Sequence, residues 1–165
     1  MANYCYYEMK VVGKENNVKE LVKYLEANYE YKGNELVMCE ADKHFFRVFY
    51  AEVIDEYGAD KGYINLISGD CAWSTFSCML KGEHSYYDIF KNRKGFKGTN
   101  LVDASRDLSL DIEVFSEEPG CGFMEHYLIK QGVMDIDECE NYEETYNEEI
   151  DEYEKKGGFT WDFTI

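Results

Sequence analysis

Residues 110–132 read LDIEVFSEEPGCGFMEHYLIKQG, and their reading decides the fold. The first part, LDIEVF (110–115), is rich in β-branched and aromatic residues and predicts a strand. Residues 122–132, GFMEHYLIKQG, read as its hairpin partner. Between them stand the only proline of the chain, Pro119, and Cys121 set between Gly120 and Gly122. A proline at the first corner and φ-permissive glycines after it make a turn. A nucleophile elbow would instead need Gly-x-Ser/Cys-x-Gly between strand and helix. Here the glycines adjoin the cysteine directly and a strand follows. His126 lies five residues beyond Cys121, so on a strand it faces the other side. The stretch is a bend. Glu117 and Glu118, as strand neighbours, point to opposite faces, so at most one lines any site. Solvated acids beside a turn are the simpler reading, and a carboxylate for acid–base work or cation binding is the other.

Toward the N-terminus, CYYEMKVVG ends a strand at Gly13. Asn17 with Glu20 suggests an N-cap and capping box, and Val18, Leu21, Val22, Leu25 and Tyr29 follow helical spacing, which predicts a helix over 18–30. KHFFRVFYAEVID (43–55) and GYINLISGD (62–70) predict two strands joined through EYGADKG. A helical stretch is expected over 74–82, and Trp73 before it reads as a core anchor or as a ring able to stack a base. The segment KNRKGFKG (91–98) has no acid and predicts an exposed loop able to touch phosphate. Thr99 or Asn100 caps a helix through Leu101, Val102 and Leu108.

Toward the C-terminus, Tyr142, Tyr146, Ile150 and Tyr153 fall on one helical stripe with acids on the other faces, which predicts an acidic helix. Phe159, Trp161, Phe163 and Ile165 alternate and predict a final half-buried strand. The expected fold is α+β in one domain over residues 1–165, a ferredoxin-like unit with helices on one face of a mostly antiparallel sheet. An acidic extension over about 135–157 and the last strand complete it.

Charge is the informative quantity. The formal net charge is −17. Residues 111–154 contain 16 acids and one base, Lys130, while the rest of the chain holds 18 acids and 16 bases. A field so polarised repels phosphate and attracts basic surfaces. The N-terminus shows no export signal and no apolar run long enough for a membrane span, so a cytoplasmic protein is expected. In that setting the six cysteines (5, 39, 71, 78, 121, 139) read as free thiols, mostly buried as small hydrophobes. No cofactor is expected. No Cys-x-x-Cys pair exists, so a zinc site would need residues assembled in space.

Three segments carry a family resemblance. Met1-Ala2-Asn3-Tyr4-Cys5, leading to Val11-Val12-Gly13, resembles the opening of the YubB-like proteins with a ferredoxin-like domain. Ala72-Trp73-Ser74 is similar to their Ala-Trp-Ser segment. Glu118-Pro119-Gly120 with Gly122-Phe123 resembles their Glu-Pro-Gly-x-Gly-Phe hairpin. The segments occur in the family's order and cover much of residues 1–125. Ala2 and Tyr4 stand where the family has Pro and Trp, the two prolines after Ala-Trp-Ser are absent, and the acidic segment after 135 has no counterpart. The resemblance implies a phage or plasmid origin and no established biochemical activity.

The leading expectation is a non-catalytic acidic protein that binds a basic, nucleic-acid-handling host protein such as a CRISPR effector or restriction enzyme. Its carboxylates would imitate a phosphate ladder, through Glu117, Glu118, Glu143, Glu144, Glu148, Glu149, Asp151 and Glu152. A solvated face that only keeps the protein soluble is the plain alternative. A small Cys/His-dependent enzyme or metal-binding protein is a second reading, and a nucleic-acid binder acting through residues 91–98 is a third.

Overall fold

Alternating burial turns one face of Tyr4–Gly13 (β1) into the core: Cys5, Tyr7, Met9 and Val11 are buried, while Tyr4 and Tyr6 are not. The computed structural model describes residues 2–27, 29–32, 35–38 and 43–165. On one side β1 pairs with Gly62–Ala72 (β5), itself in a hairpin with Val48–Ala59 (β4). On its other side follow Asp111–Glu118 (β6), Phe123–Lys130 (β7), Val133–Asn147 (β8) and Glu152–Gly157 (β9). The resulting seven-stranded sheet has the order β4-β5-β1-β6-β7-β8-β9, and every neighbouring pair is antiparallel. Tyr29–Lys32 (β2) and Glu35–Met38 (β3) form a separate hairpin. Among the described residues, four helices complete an α+β fold: Glu15–Glu26 (α1), Thr75–Met79 (α2), Tyr86–Phe90 (α3) and Leu101–Asp107 (α4).

The core lies between one sheet face and the helices. The inward residues of β1, with Ile67, Ile112, Val114, Tyr127 and Ile129, meet Val18, Leu21 and Leu25 of α1, Met79 of α2 and Leu101 of α4. Each of those aliphatic side chains stabilises the fold by roughly 1.5–3 kcal/mol on burial. The opposite face of β6 and β7 is covered by residues 158–165, which join no ladder. Phe159, Trp161 and Phe163 lie against Phe115, and Thr164 and Ile165 bond to Glu113. The alternation of Phe159, Trp161, Phe163 and Ile165 is therefore kept, each half-buried, but as a strap over the sheet rather than a strand in it.

The hairpin read from residues 110–132 is present, as is the Asn100 cap of α4, whose side chain accepts from the Asp103 amide. Other expectations differ. α1 starts at Glu15 with Lys14 as a cap that makes no side-chain bond, so the Asn17–Glu20 box goes unused, and Tyr29 opens β2. β4 begins at Val48 rather than at 43.

The largest correction concerns residues 142–157, which form an antiparallel hairpin of β8 and β9 and no helix. A helix would stack Glu144, Glu148 and Glu152 at i, i+4, a repulsive arrangement. The hairpin instead sets Lys155 opposite Glu144 and Lys156 opposite Glu143. Asn147 starts the turn by accepting from the Glu149 amide at 3.0 Å, and Asp151 closes it at φ 55. The spacing of four that suggested a helix is also two strand periods, which puts Tyr142 and Tyr146 on one face either way.

Candidate functional site

At the bend 118–122 the fold uses one acid to hold its own backbone. Glu118 accepts from the Gly120 and Cys121 amides at 2.9 and 2.6 Å, and Gly122 takes the left-handed φ of 72 that closes the turn. Glu118 is buried, so it is a turn carboxylate and not the solvated acid that its sequence position suggests. Its hydrogen bond and charge push the exposed Cys121 thiol above its ordinary range, the reverse of nucleophile activation. His126 lies elsewhere, its ring stacked on Phe115 at 3.9 Å.

Two further carboxylates of the same hairpin are buried, and neither stands out in the sequence. Glu125 is 2% exposed on the helix face of the sheet. It accepts from the Thr75 amide and hydroxyl, the Phe76 amide, the Ser116 hydroxyl and the Tyr127 hydroxyl at 2.7–3.1 Å. It thereby caps the start of α2 from across the core and ties that helix to β6 and β7. Glu113, on the other face, accepts from the Thr164 amide and hydroxyl and the Ile165 amide, with His126 Nε2 at 2.7 Å. The other ring nitrogen of His126 lies 3.2 Å from Glu138. This Glu113–His126–Glu138 line fastens the strap, aided by Lys10, which donates to the Ile165 carbonyl.

Glu117 belongs to the root of the β8–β9 ribbon. Tyr142 and Lys155 both donate to its Oε1 at 2.6 Å, and the Lys155 ammonium lies 5.0 Å from the Tyr142 ring centre. Partial burial acts to raise the Glu117 carboxyl, but the Lys155 and Tyr142 hydrogen bonds outweigh it and hold the group below the usual carboxylate range. Beyond that root β8 has left β7, whose pairing stops at Phe123 opposite Asn141. From Glu143 to Gly157 every residue except Asn147 is exposed. Seven acids and two lysines lie in that span, so Glu143, Glu144, Glu148, Glu149, Asp151 and Glu152 all stand in water. Among them project Tyr146 and Tyr153, packed edge to face at 5.2 Å, and Ile150 at the tip. Tyr153 is 71% exposed.

The other sequence candidates are dispersed. Cys5, Cys71 and Cys78 are buried, and contacts with Cys5 and Cys78, together with burial, push the Cys71 thiol up. Cys139 is exposed, and Cys39 lies outside the described residues. Among the described residues no group of three or more His, Cys, Asp and Glu side chains is placed to hold a metal ion. In the basic loop, the Phe96 ring is spent on Phe46 and Tyr87, and Arg93 lies 4.2 Å over Phe90. Trp73 is no core anchor: it is 43% exposed and held at φ 68. Among the described residues no helix is long and apolar enough to cross a membrane. Comparison with protein-family models, curated proteins and solved structures finds no match to this chain.

Proposed function

We propose that this chain is a non-catalytic acidic binding protein whose β8–β9 ribbon occupies a basic surface built for nucleic acid. The observation that carries the reading is the ribbon itself, a two-stranded arm with Glu143, Glu144, Glu148, Glu149, Asp151 and Glu152 in solvent around Tyr146, Ile150 and Tyr153. Carboxylates along an extended arm pair with Arg and Lys clusters as phosphates do, and the central aromatic and aliphatic side chains supply contact area that charge alone lacks. Glu117 and Glu118 take no part in that surface, because the fold already uses them. A host defence nuclease is the partner class that the YubB-like resemblance favours. The strand order β4-β5-β1-β6, with α1 and then α2–α4 crossing on one face, supports reading that part as a ferredoxin-like unit.

The test is a variant with Glu143, Glu144, Glu148, Glu149 and Glu152 all replaced by glutamine. Wild type should retain nucleic-acid-handling proteins from a bacterial lysate at low salt and release them to duplex DNA. Release by salt alone should follow, since the Debye length shrinks from about 10 Å at 0.1 M to about 3 Å at 1 M. The variant should associate far more slowly with each retained protein, with a smaller change in dissociation rate. Equal capture by both proteins at every salt concentration would leave the ribbon acids as a solubility device.

A further inference from the structure

The β8–β9 ribbon has two unlike faces, and its register sorts them. Successive side chains on a strand point to opposite sides, and directly opposed partners share a side. Tyr146 lies opposite Tyr153, and on the same face, one row closer to the root, Glu144 lies opposite Lys155. The second face holds Glu143 opposite Lys156, Thr145 opposite Glu154 and Asn147 opposite Glu152. Two contacts fix the assignment. The Tyr146 and Tyr153 rings meet edge to face at 5.2 Å, and Asn147 donates to Glu154 at 2.9 Å.

The first face is close to neutral. Lys155 donates to Glu117 at 2.6 Å and lies 3.9 Å from Glu144, so the acid of that row is already answered. What this face presents to solvent is its rings, since Tyr146 and Tyr153 are both exposed. The second face and the turn that continues it carry Glu143, Glu148, Glu149, Asp151, Glu152 and Glu154, all exposed. Rings thus stand on one side of the arm and carboxylates on the other side and at its tip.

A duplex keeps the planes of its bases stacked inside, so carboxylates alone would imitate its outline. A single strand shows both parts, and proteins that hold it combine a basic groove with aromatic side chains on which the bases stack. Building on the reading of the ribbon as the binding arm, we propose that it imitates single-stranded nucleic acid and that its partner is a protein with a single-strand-binding groove. The carboxylates of the second face and the turn meet the Lys and Arg side chains of the groove. Tyr153, the more exposed ring, takes the stacking platform, and Tyr146 braces it edge-on. A helix-turn-helix protein grips duplex phosphates and reads base edges in the major groove, so it offers the rings no platform.

The experiment measures the binding kinetics of the full chain with two purified probes, a single-strand-binding protein of the OB-fold class and a helix-turn-helix repressor. The first should bind at least about ten times more tightly than the second, and an oligothymidine of about 16 nucleotides should release it. Tyr153→Ala should weaken that binding about tenfold through faster dissociation, the scale of one lost stack, and Tyr153→Phe should retain it. Both variants should melt as wild type does, because the ring stands in solvent. The five-glutamine variant should associate far more slowly with the same probe. If that variant bound as wild type does, the ribbon reading as a whole would fall. A loss in the five-glutamine variant with Tyr153→Ala unchanged would overturn the single-strand assignment alone. Equal binding to the repressor, a complex that oligothymidine leaves intact, or no binding to the single-strand probe would overturn it as well.

Discussion

Glu113, Glu118 and Glu125 lie on one hairpin and are at most 2% exposed, whereas Glu143, Glu144, Glu148, Glu149 and Glu152 stand in water on the ribbon next to it. The side chain is the same, and the strands carrying it are neighbours in one sheet. What differs is the number of donors that each carboxylate finds inside the fold. The buried three accept from backbone amides, hydroxyls and a histidine, and they tie α2, the strap and the turn to the sheet. The ribbon acids meet little but solvent and two lysines opposite them. Net charge counts both groups alike, yet only the second group is available to a partner.

That contrast is sharpest at Glu125. Glu125→Ala strands several buried donors at once, each costing about 1–3 kcal/mol, so a loss of at least about 3 kcal/mol is expected. The denaturation midpoint should fall with the slope unchanged. A midpoint within experimental error of wild type would show that the carboxylate is a passenger.

Glu113→Ala should come next, at about 2–3 kcal/mol, because it releases the strap amides and strips His126 of one acceptor. Hydrogen exchange should accelerate first over residues 159–165. Deleting 159–165 should then cost less in the Glu113→Ala background than in wild type, since the two share one network. Strictly additive losses would mean that the strap is held by its rings alone.

Glu118→Ala should cost about 1–2 kcal/mol for the two turn amides, while Cys121→Ser next to it should be neutral. A reversal of that order would restore a role for the thiol.

Two acids outside this contrast titrate in opposite senses. Glu117 has its folded pKa held down, so its contribution is present above the ordinary carboxylate range and disappears as pH falls through the folded value. Burial pushes Asp70 up, so its cost is absent where both states are protonated and grows as pH rises through the ordinary and then the folded value. Asp70→Asn should therefore gain stability over wild type between acid and neutral pH, and a difference flat across that range would contradict the burial of Oδ1.

Among the glutamates, the smallest effect per side chain on folding belongs to the ribbon. The five-glutamine variant should change stability by no more than about 0.5 kcal/mol per site, measured by thermal melting. A large loss would place those acids with the buried group.

Local pattern carries some elements without help. The alternation in Tyr4–Gly13, the apolar spacing of Val18, Leu21 and Leu25, and Pro119 with Gly122 each specify a conformation through contacts close along the chain. Those elements can be read directly from the residues. The alternation of Phe159, Trp161, Phe163 and Ile165 specifies an extended backbone with one buried side, but whether that side joins a ladder or lies across one depends on which strand edge is free. Tyr142 and Tyr146 satisfy both helical and strand periods, so their conformation follows from the lysines at 155 and 156 and from Glu117 on another strand. Burial of Glu113 and Glu125 has no local signature at all. Glu125 is buried because Thr75 and Phe76, far away in sequence, end beside it, and Glu113 because residues 164 and 165 cross over it. Chain-local energies are a few tenths to about one kcal/mol per residue. The choice between a solvated and a buried carboxylate is larger, and it is made by contacts between distant segments, which only the assembled sheet brings together.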